Sequence, residues 1–111
     1  MSLGPDKIAN VYDLYSGTGT GITSTGAGAT VILPPGKKAI QMNMTGTSTM
    51  TVKVQNSIDG VNWFDVSSST VASQSYLAEL DSVIPKWRVQ VSAFTAVGAG
   101  TNVAQIAQLI P

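Results

Sequence analysis

The sequence contains neither cysteine nor histidine. Disulfides and thiolate metal sites are therefore excluded, and the chain requires no particular redox compartment. Without histidine it also lacks the usual general base near neutral pH and the commonest metal ligand. We therefore expect no metal site and no cofactor. A chain of 111 residues is long enough for one domain with a core that needs no cross-links.

Charge is also scarce. The chain has six Lys and Arg residues and six Asp and Glu residues, which gives a formal net charge of zero. No basic patch is available to collect phosphates, so we expect no nucleic-acid partner. Because so little charge gives weak repulsion between copies, the composition favours association or residence in a larger assembly.

Long apolar runs are missing as well. The apolar segments are far shorter than the roughly 20 residues that span a bilayer, and the first 15 residues lack the apolar centre of a signal peptide. The sequence therefore predicts a soluble protein without membrane contact.

Residues 50–66 contain the clearest pattern in the chain. Met50, Val52 and Val54 alternate with polar residues, which is the period of a half-buried β-strand. A turn signal follows, and then a second apolar run. We predict a β-hairpin over this segment.

The turn of that hairpin is predicted at Asp59-Gly60. Glycine tolerates a positive φ, and an aspartate side chain can accept hydrogen bonds from nearby backbone amides. Trp63 and Phe64 follow on the returning strand, where neighbours face opposite sides. We expect one ring to cap the end of the core. The alternative is an exposed ring that anchors a protein partner or a sugar.

Other segments show strand signals between turns. The runs are 29–33, 38–45, 76–80, 85–93 and 101–110. The short links after the first two predict a meander of antiparallel neighbours, because parallel strands need long crossovers. The last run is apolar on both faces, which fits a strand buried on both sides or one in a subunit interface. The serine-rich segment 67–75 is predicted to be a connection. Together these signals predict an all-β fold, an antiparallel sandwich or barrel of about eight short strands.

The N-terminal segment, residues 1–15, is predicted to be an extended arm, followed by a single β-sandwich domain over 16–111. Its apolar residues recur at spacings of three and four, which would suit a short helix. The arm either packs on its own domain or docks on a neighbouring subunit. The candidate partner-binding residues are Ile8, Val11, Tyr12, Leu14 and Tyr15.

Catalytic chemistry finds little support in the sequence. Gly17, Gly19 and Gly21 lack the further glycine and the flanking strand and helix of a dinucleotide fingerprint. The serines have no histidine to activate them. Carboxylate pairs such as Glu79 and Asp81 could hydrolyse glycosides, but turn formation explains them more simply. We expect no catalytic residues, no enzyme activity and no small-molecule substrate.

Residues 54–66 read VQNSIDGVNWFDV. This segment resembles the S-x-DG-x-x-W hairpin that recurs in small bacteriophage virion proteins, and the likeness extends to the strand around 87–93. A related turn occurs in discoidin-like sugar-binding modules, so the motif indicates a β-sandwich rather than one function. The Thr-, Ser- and Gly-rich loops, the low charge and the chain length are similar to those of capsid decoration or cement proteins.

The resemblance implies a non-enzymatic virion protein that is made in the host cytoplasm and binds the outside of the phage head. Its partners would be the major capsid protein and further copies of itself, in a homotrimer. The alternatives are a carbohydrate-binding module of a tail fibre or surface protein, with Trp63 or Trp87 as a stacking platform, and a tail or neck component.

Overall fold

All regular structure in the described residues is β-strand. The computed structural model describes residues 7–15, 22, 25–44, 48–72, 75–95 and 101–110, and for 7–10 and 110 only the backbone. The strands are β1 (Lys7–Tyr15), β2 (Gly26–Ala27), β3 (Val31–Ile32), β4 (Gly36–Met44), β5 (Thr49–Ser57), β6 (Phe64–Val71), β7 (Ser75–Ser82), β8 (Lys86–Thr95) and β9 (Asn102–Ile110).

The strands form two antiparallel sheets. Sheet I has the order β1-β9-β4-β7, and sheet II has the order β2-β8-β5-β6, with β3 also paired to β8. If β2 and β3 are counted as one interrupted strand, successive strands alternate between the sheets except at the β5–β6 hairpin. Two interleaved Greek keys of this kind make a jelly roll, which is one form of the predicted β-sandwich.

The core lies between the two sheets, and its residues come from alternate positions of the strands. The predicted alternation is confirmed in β4, β5 and β8, where one face of each strand is buried. The buried side chains on these faces are Ile40, Met42, Met44, Met50, Val52, Val54, Trp87, Val89 and Val91. Ala93 was expected on the same face but is exposed, because a β-bulge beside Thr51 and Val52 interrupts the alternation of β8.

The predicted meander is wrong. β3 pairs with β8 in sheet II, whereas β4 pairs with β7 and β9 in sheet I. Short links can therefore cross from one sheet to the facing one, because packed sheets are only about 10 Å apart. Residues 45–47, which connect β4 to β5, lie outside the described residues. Among the short links considered, the hairpin between β5 and β6 is confirmed.

Strand β6 extends into the segment that was predicted to be a connection. It pairs with β5 as far as Val71, which is buried, and the hydroxyls of Thr51 and Thr70 lie 3.1 Å apart. Serine and threonine are accommodated because β6 is an edge strand with many side chains in solvent.

The described part of the predicted arm, β1, is an edge strand of sheet I paired with β9. The expected short helix is wrong, and Lys7–Tyr15 belongs to the sandwich. Two register shifts, between Ile8 and Asn10 and between Asp13 and Tyr15, explain the misleading spacing. Each bulge shifts the two-residue alternation by one position, which makes it look like a period of three or four. Residues 1–6 lie outside the described residues.

Strand β1 also closes one side of the sandwich. The Gly28 amide donates to the Val89 carbonyl at 2.9 Å, which fixes the chain after β2 to sheet II. A Cβ at Gly28 would lie 2.1 Å from the Leu14 carbonyl oxygen of β1. The two sheets therefore meet here backbone against backbone, and only glycine fits.

Strand β9 is central in sheet I. Ala104 and Ile106 are in the core, while Val103, Ala107 and Leu109 are half-buried on the outer face. The strand is thus buried on one side by the chain itself, and its place in a subunit interface remains a prediction.

Candidate functional site

Large exposed apolar side chains cluster at one end of the sandwich. This is the end where β5 and β7 finish and where β6 and β8 begin. The side chains have exposed fractions between 68% and 79%, and we call them the apolar end: Ile32, Ile58, Val61, Phe64 and Val83. Such a cluster marks an interaction surface more often than scattered exposed residues do.

The β5–β6 turn at this end is built around one carboxylate. Asp59 Oδ1 accepts the backbone amides of Val61 and Asn62, both at 2.8 Å. It also accepts the Ser57 hydroxyl at 3.0 Å, and Asp59 Oδ2 accepts Asn62 Nδ2 at 2.8 Å. These hydrogen bonds, led by the one from the Asn62 amide, stabilise the ionised form and hold the pKa of Asp59 far below its usual range. The Asp59 carboxylate thus forms its hydrogen bonds with groups of its own turn.

Gly60 completes the turn. Its φ of +78° is a conformation that other residues rarely adopt, and an added Cβ would lie 3.1 Å from Lys86 Nζ. Its amide donates to Ser57 Oγ at 2.9 Å, and its carbonyl accepts Trp63 Nε1 at 3.2 Å. Asp59, Gly60 and Trp63 are thus joined by hydrogen bonds within the β5–β6 turn.

The expectation that Trp63 or Phe64 caps the core is wrong. Trp63 is half-buried, and the Arg88 guanidinium lies 4.2 Å from the centre of its ring. Phe64 is exposed, as in the alternative interpretation. The core aromatic is Trp87, which is fully buried. Because Trp87 already fills this end of the core, the hairpin rings stay at the surface.

Hydrogen bonds hold the β7–β8 loop to the end of β7, to the start of β8 and to the segment after β3. The Ile84 amide donates to Ser82 Oγ at 3.1 Å, and the Ile84 carbonyl accepts Trp87 Nε1 at 2.8 Å. Pro85 accepts the amide of Leu33 at 2.8 Å, which joins this loop to the one after β3. Val83 is therefore presented from a restrained backbone.

A buried lysine links the loops behind the apolar end. Lys38 Nζ donates to the carbonyls of Pro34 and Gly36, both at 2.9 Å, and of Ser82 at 3.2 Å. Burial lowers the pKa of Lys38, and the nearby Asp81 carboxylate partly opposes this shift. The ammonium thus ties the start of β4 to the end of β7, and the loops that carry the apolar end become one scaffold.

A groove of about 280 Å³ opens between the two loops. Ile58, Phe64 and Ile84 supply its apolar walls, and Asn56 and Asn62 supply its polar rim. Aliphatic and aromatic surface with a few amides suits contact with another protein surface. Side chains of this kind can contribute to binding through complementary shape and desolvation.

The predicted partner-binding residues do not lie at the apolar end. Leu14 is fully buried in the core and is therefore excluded from any docking surface. Tyr15 is half-buried and packs against the core, whereas Val11 and Tyr12 are exposed on β1. The side chain of Ile8 lies outside the described residues.

Most residues of the apolar end were not predicted to have a role. A signal was available at Ile58 and Val61, because these large apolar residues flank the predicted Asp59-Gly60 turn, at the tip of a hairpin where a sheet face buries little. No such signal existed for Ile32 or Val83. Ile32 belongs to the predicted apolar run 29–33, Val83 lies between the runs 76–80 and 85–93, and only the fold places both at the same end as the hairpin.

Within the described ranges, no group of three or more carboxylates could hold a metal ion, and no helix is long and apolar enough to span a membrane. No protein-family model, no curated protein and no solved structure matches this chain.

Proposed function

We propose that this protein is a non-enzymatic virion protein that binds the outside of a bacteriophage head and stabilises it. The observation that carries the proposal is the apolar end, in which five large side chains are exposed to solvent on strand ends and on loops held by hydrogen bonds. A surface of this kind is unfavourable in a free monomer and becomes favourable when a partner covers it. The partner we propose is the major capsid protein.

The fold and the hairpin motif support this proposal by analogy. Jelly rolls are common in viral capsid proteins and in lectins, so the fold alone does not decide between them. The Ser57-to-Trp63 turn resembles the hairpin of small phage virion proteins. In this chain, the motif residues shape the loop that presents Ile58, Val61 and Phe64.

A single copy should bind weakly. Burial of the apolar end would contribute at most about 8 to 15 kcal/mol, at roughly 1.5 to 3 kcal/mol for each large side chain. Association itself costs about 4 to 15 kcal/mol, so little remains for one subunit. We therefore propose a homotrimer, in which three linked apolar ends raise one another's effective concentration at the shell.

The subunit contact in this trimer would involve β1. Within the described part of the chain, β1 pairs with β9 and otherwise forms an edge of sheet I. Val11 and Tyr12 are exposed there, and unpaired strand edges readily add a strand from another chain.

The carbohydrate-binding alternative loses its expected platform. Trp87 is fully buried, and one face of Trp63 is covered by Arg88. A tail or neck protein would bind a different partner through the same apolar end. The position of the protein on the particle therefore distinguishes this alternative from a head protein.

The test is to purify phage particles from cultures of the organism that carries the gene, and to quantify the protein relative to the major capsid protein. We expect a fixed ratio with labelled antibody distributed over the head, together with a trimer mass by light scattering of the purified protein. Labelling confined to the tail, or absence of the protein from particles, would contradict the proposal.

A further inference from the structure

Four polar side chains form a hydrogen-bonded chain across the outer face of sheet I. Gln41 Nε2 donates to Asn43 Oδ1 at 2.9 Å, and Asn43 Nδ2 donates to Gln105 Oε1. Gln105 Nε2 then donates to Asp13 Oδ1 at 2.9 Å. This chain, which we call the amide ladder, crosses β4, β9 and β1 and is held on strands rather than on loops.

A groove with a floor of small side chains lies beside the amide ladder. Ala39 and Ala107 are paired neighbours on β4 and β9, and both are half-buried. Their methyl groups leave a space of about 290 Å³ between Val11 on one side and Tyr76 on the other. The floor of the groove is low because the side chains of Ala39 and Ala107 are short, whereas the flanking strands carry larger side chains.

A second depression of about 360 Å³ continues this groove towards Lys37. The two share Ala39, Glu79 and Leu109. The four residue steps of β4 from Lys37 to Gln41 correspond to a groove length of about 13 Å at the usual strand rise. A small extended ligand fits this length better than a compact one.

The ladder keeps hydrogen-bonding capacity for a ligand. A primary amide carries two N–H groups and a carbonyl with two lone pairs, and each ladder bond uses one donor of Gln41, Asn43 and Gln105. An apolar protein surface placed over these groups would leave amides without water or partners, which is unfavourable. The occupant should therefore carry both donors and acceptors.

Hydroxyl groups meet that requirement, because each one donates and accepts. A sugar ring also has an apolar C–H face, which can lie on the alanine floor and against the exposed ring of Tyr76. Beside the ladder, the charged group that lines the groove is the Glu79 carboxylate, and the Asp13 carboxylate lies next to Gln105; both would repel an anionic ligand there. At the other end of the groove, Lys37 and Asp81 carry opposite charges.

We propose that the groove beside the amide ladder binds a neutral saccharide. Gln41 and Gln105, which line the groove and are bridged by Asn43, hydrogen-bond its hydroxyls, while the alanine floor and Tyr76 contact its C–H face. The proposal does not rest on capsid attachment, because the ladder side of the groove lies on the outer face of sheet I, whereas the apolar end lies where β7 finishes. A copy bound to a shell through its apolar end would still present the ladder side of this groove to solvent.

The test is an array of neutral hexose oligosaccharides and uronic-acid oligosaccharides, followed by calorimetric titration with the tightest neutral binder. We expect binding of neutral members only. Gln105→Ala and Tyr76→Ala should each weaken binding at least tenfold, and Tyr76→Phe should retain it. Gln90→Ala is the matched control, since Gln90 is a half-buried glutamine on the outer face of sheet II.

Thermal unfolding establishes that each variant is folded, and Gln41→Ala replaces Gln105→Ala if the latter is not. Absence of binding to any neutral oligosaccharide would overturn the proposal, as would equal binding by Gln105→Ala, Tyr76→Ala and Gln90→Ala. A lower oligomer mass in Gln105→Ala, without saccharide binding, would instead assign this face to a second copy of the chain. Neither result bears on whether the protein is present on phage heads.

Discussion

The core and the apolar end both consist of large apolar side chains, but only the core is covered by the chain itself. Trp87 is fully buried, whereas Phe64, at the same end of the sandwich, is 68% exposed. The loops around Phe64 are nevertheless held by the Asp59 carboxylate and the Lys38 ammonium. The difference shows that apolar side chains in the core are covered by the chain itself, whereas those of the apolar end are exposed on a backbone that hydrogen bonds hold in place.

The largest effect is expected in the core. Trp87→Ala should lower the free energy of unfolding by about 3 to 5 kcal/mol, because it leaves a cavity and an unpaired carbonyl at Ile84. Urea unfolding followed by circular dichroism measures the change. Trp63→Ala is the control at the surface, and a loss as large as that of Trp87→Ala would refute the distinction drawn here.

The closed side of the sandwich should show the next largest effect. Gly28→Ala should destabilise the protein by roughly 1 to 3 kcal/mol, because the new methyl group would overlap the backbone of β1. Ala29→Ser, at the exposed neighbouring position, should change little. Equal unfolding midpoints for the two variants would show that the sheets do not meet at Gly28.

The contribution of the Asp59 turn to the free energy of unfolding should depend on pH and should be lost in acid. The folded pKa of Asp59 lies below the unfolded value of about 3.9, so its contribution is fully present above that pH and is lost as the pH falls below it. The wild type should therefore lose more stability than Asp59→Ala between pH 5 and pH 2. Parallel curves for the two proteins would contradict this role, and Glu79→Gln serves as a carboxylate control.

The smallest effect on stability is expected at the apolar end itself. The double variant Ile58→Ser, Phe64→Ser should change the free energy of unfolding by no more than about 0.5 kcal/mol for each site, since both side chains are largely in solvent. Thermal and urea unfolding would check this. A large loss of stability would mean that these residues are part of the core after all.

Structural features that depend on residues close together in the sequence were predicted correctly. The alternation in β5 and the Asp59-Gly60 turn follow from a few consecutive residues, and both are confirmed. Strand order did not follow, because β4 and β5 are close in sequence but lie in different sheets. Strand β1, which contains Leu14, was not predicted, because each bulge inserts a residue and changes the apparent period of its apolar residues.

The candidate site was less predictable than the fold. Ile32, Phe64 and Val83 come from three separate parts of the chain and lie at one end only because β3, β6 and β7 reach the same end of the sandwich. The amide ladder likewise joins Asp13 to Gln105, which are 92 residues apart. Periodicity within a segment carries no information about such long-range neighbours.

Rebinding to particles tests the central claim most directly. Phage heads stripped of the protein with mild denaturant would be mixed with the wild type, with the Ile58→Ser, Phe64→Ser variant, or with Tyr76→Ser, which removes an equally exposed aromatic ring from sheet I. Light scattering would establish that all three have the same oligomer mass. We predict that the wild type and Tyr76→Ser sediment with the heads and that the double variant stays in solution. Full rebinding of the double variant would contradict the account.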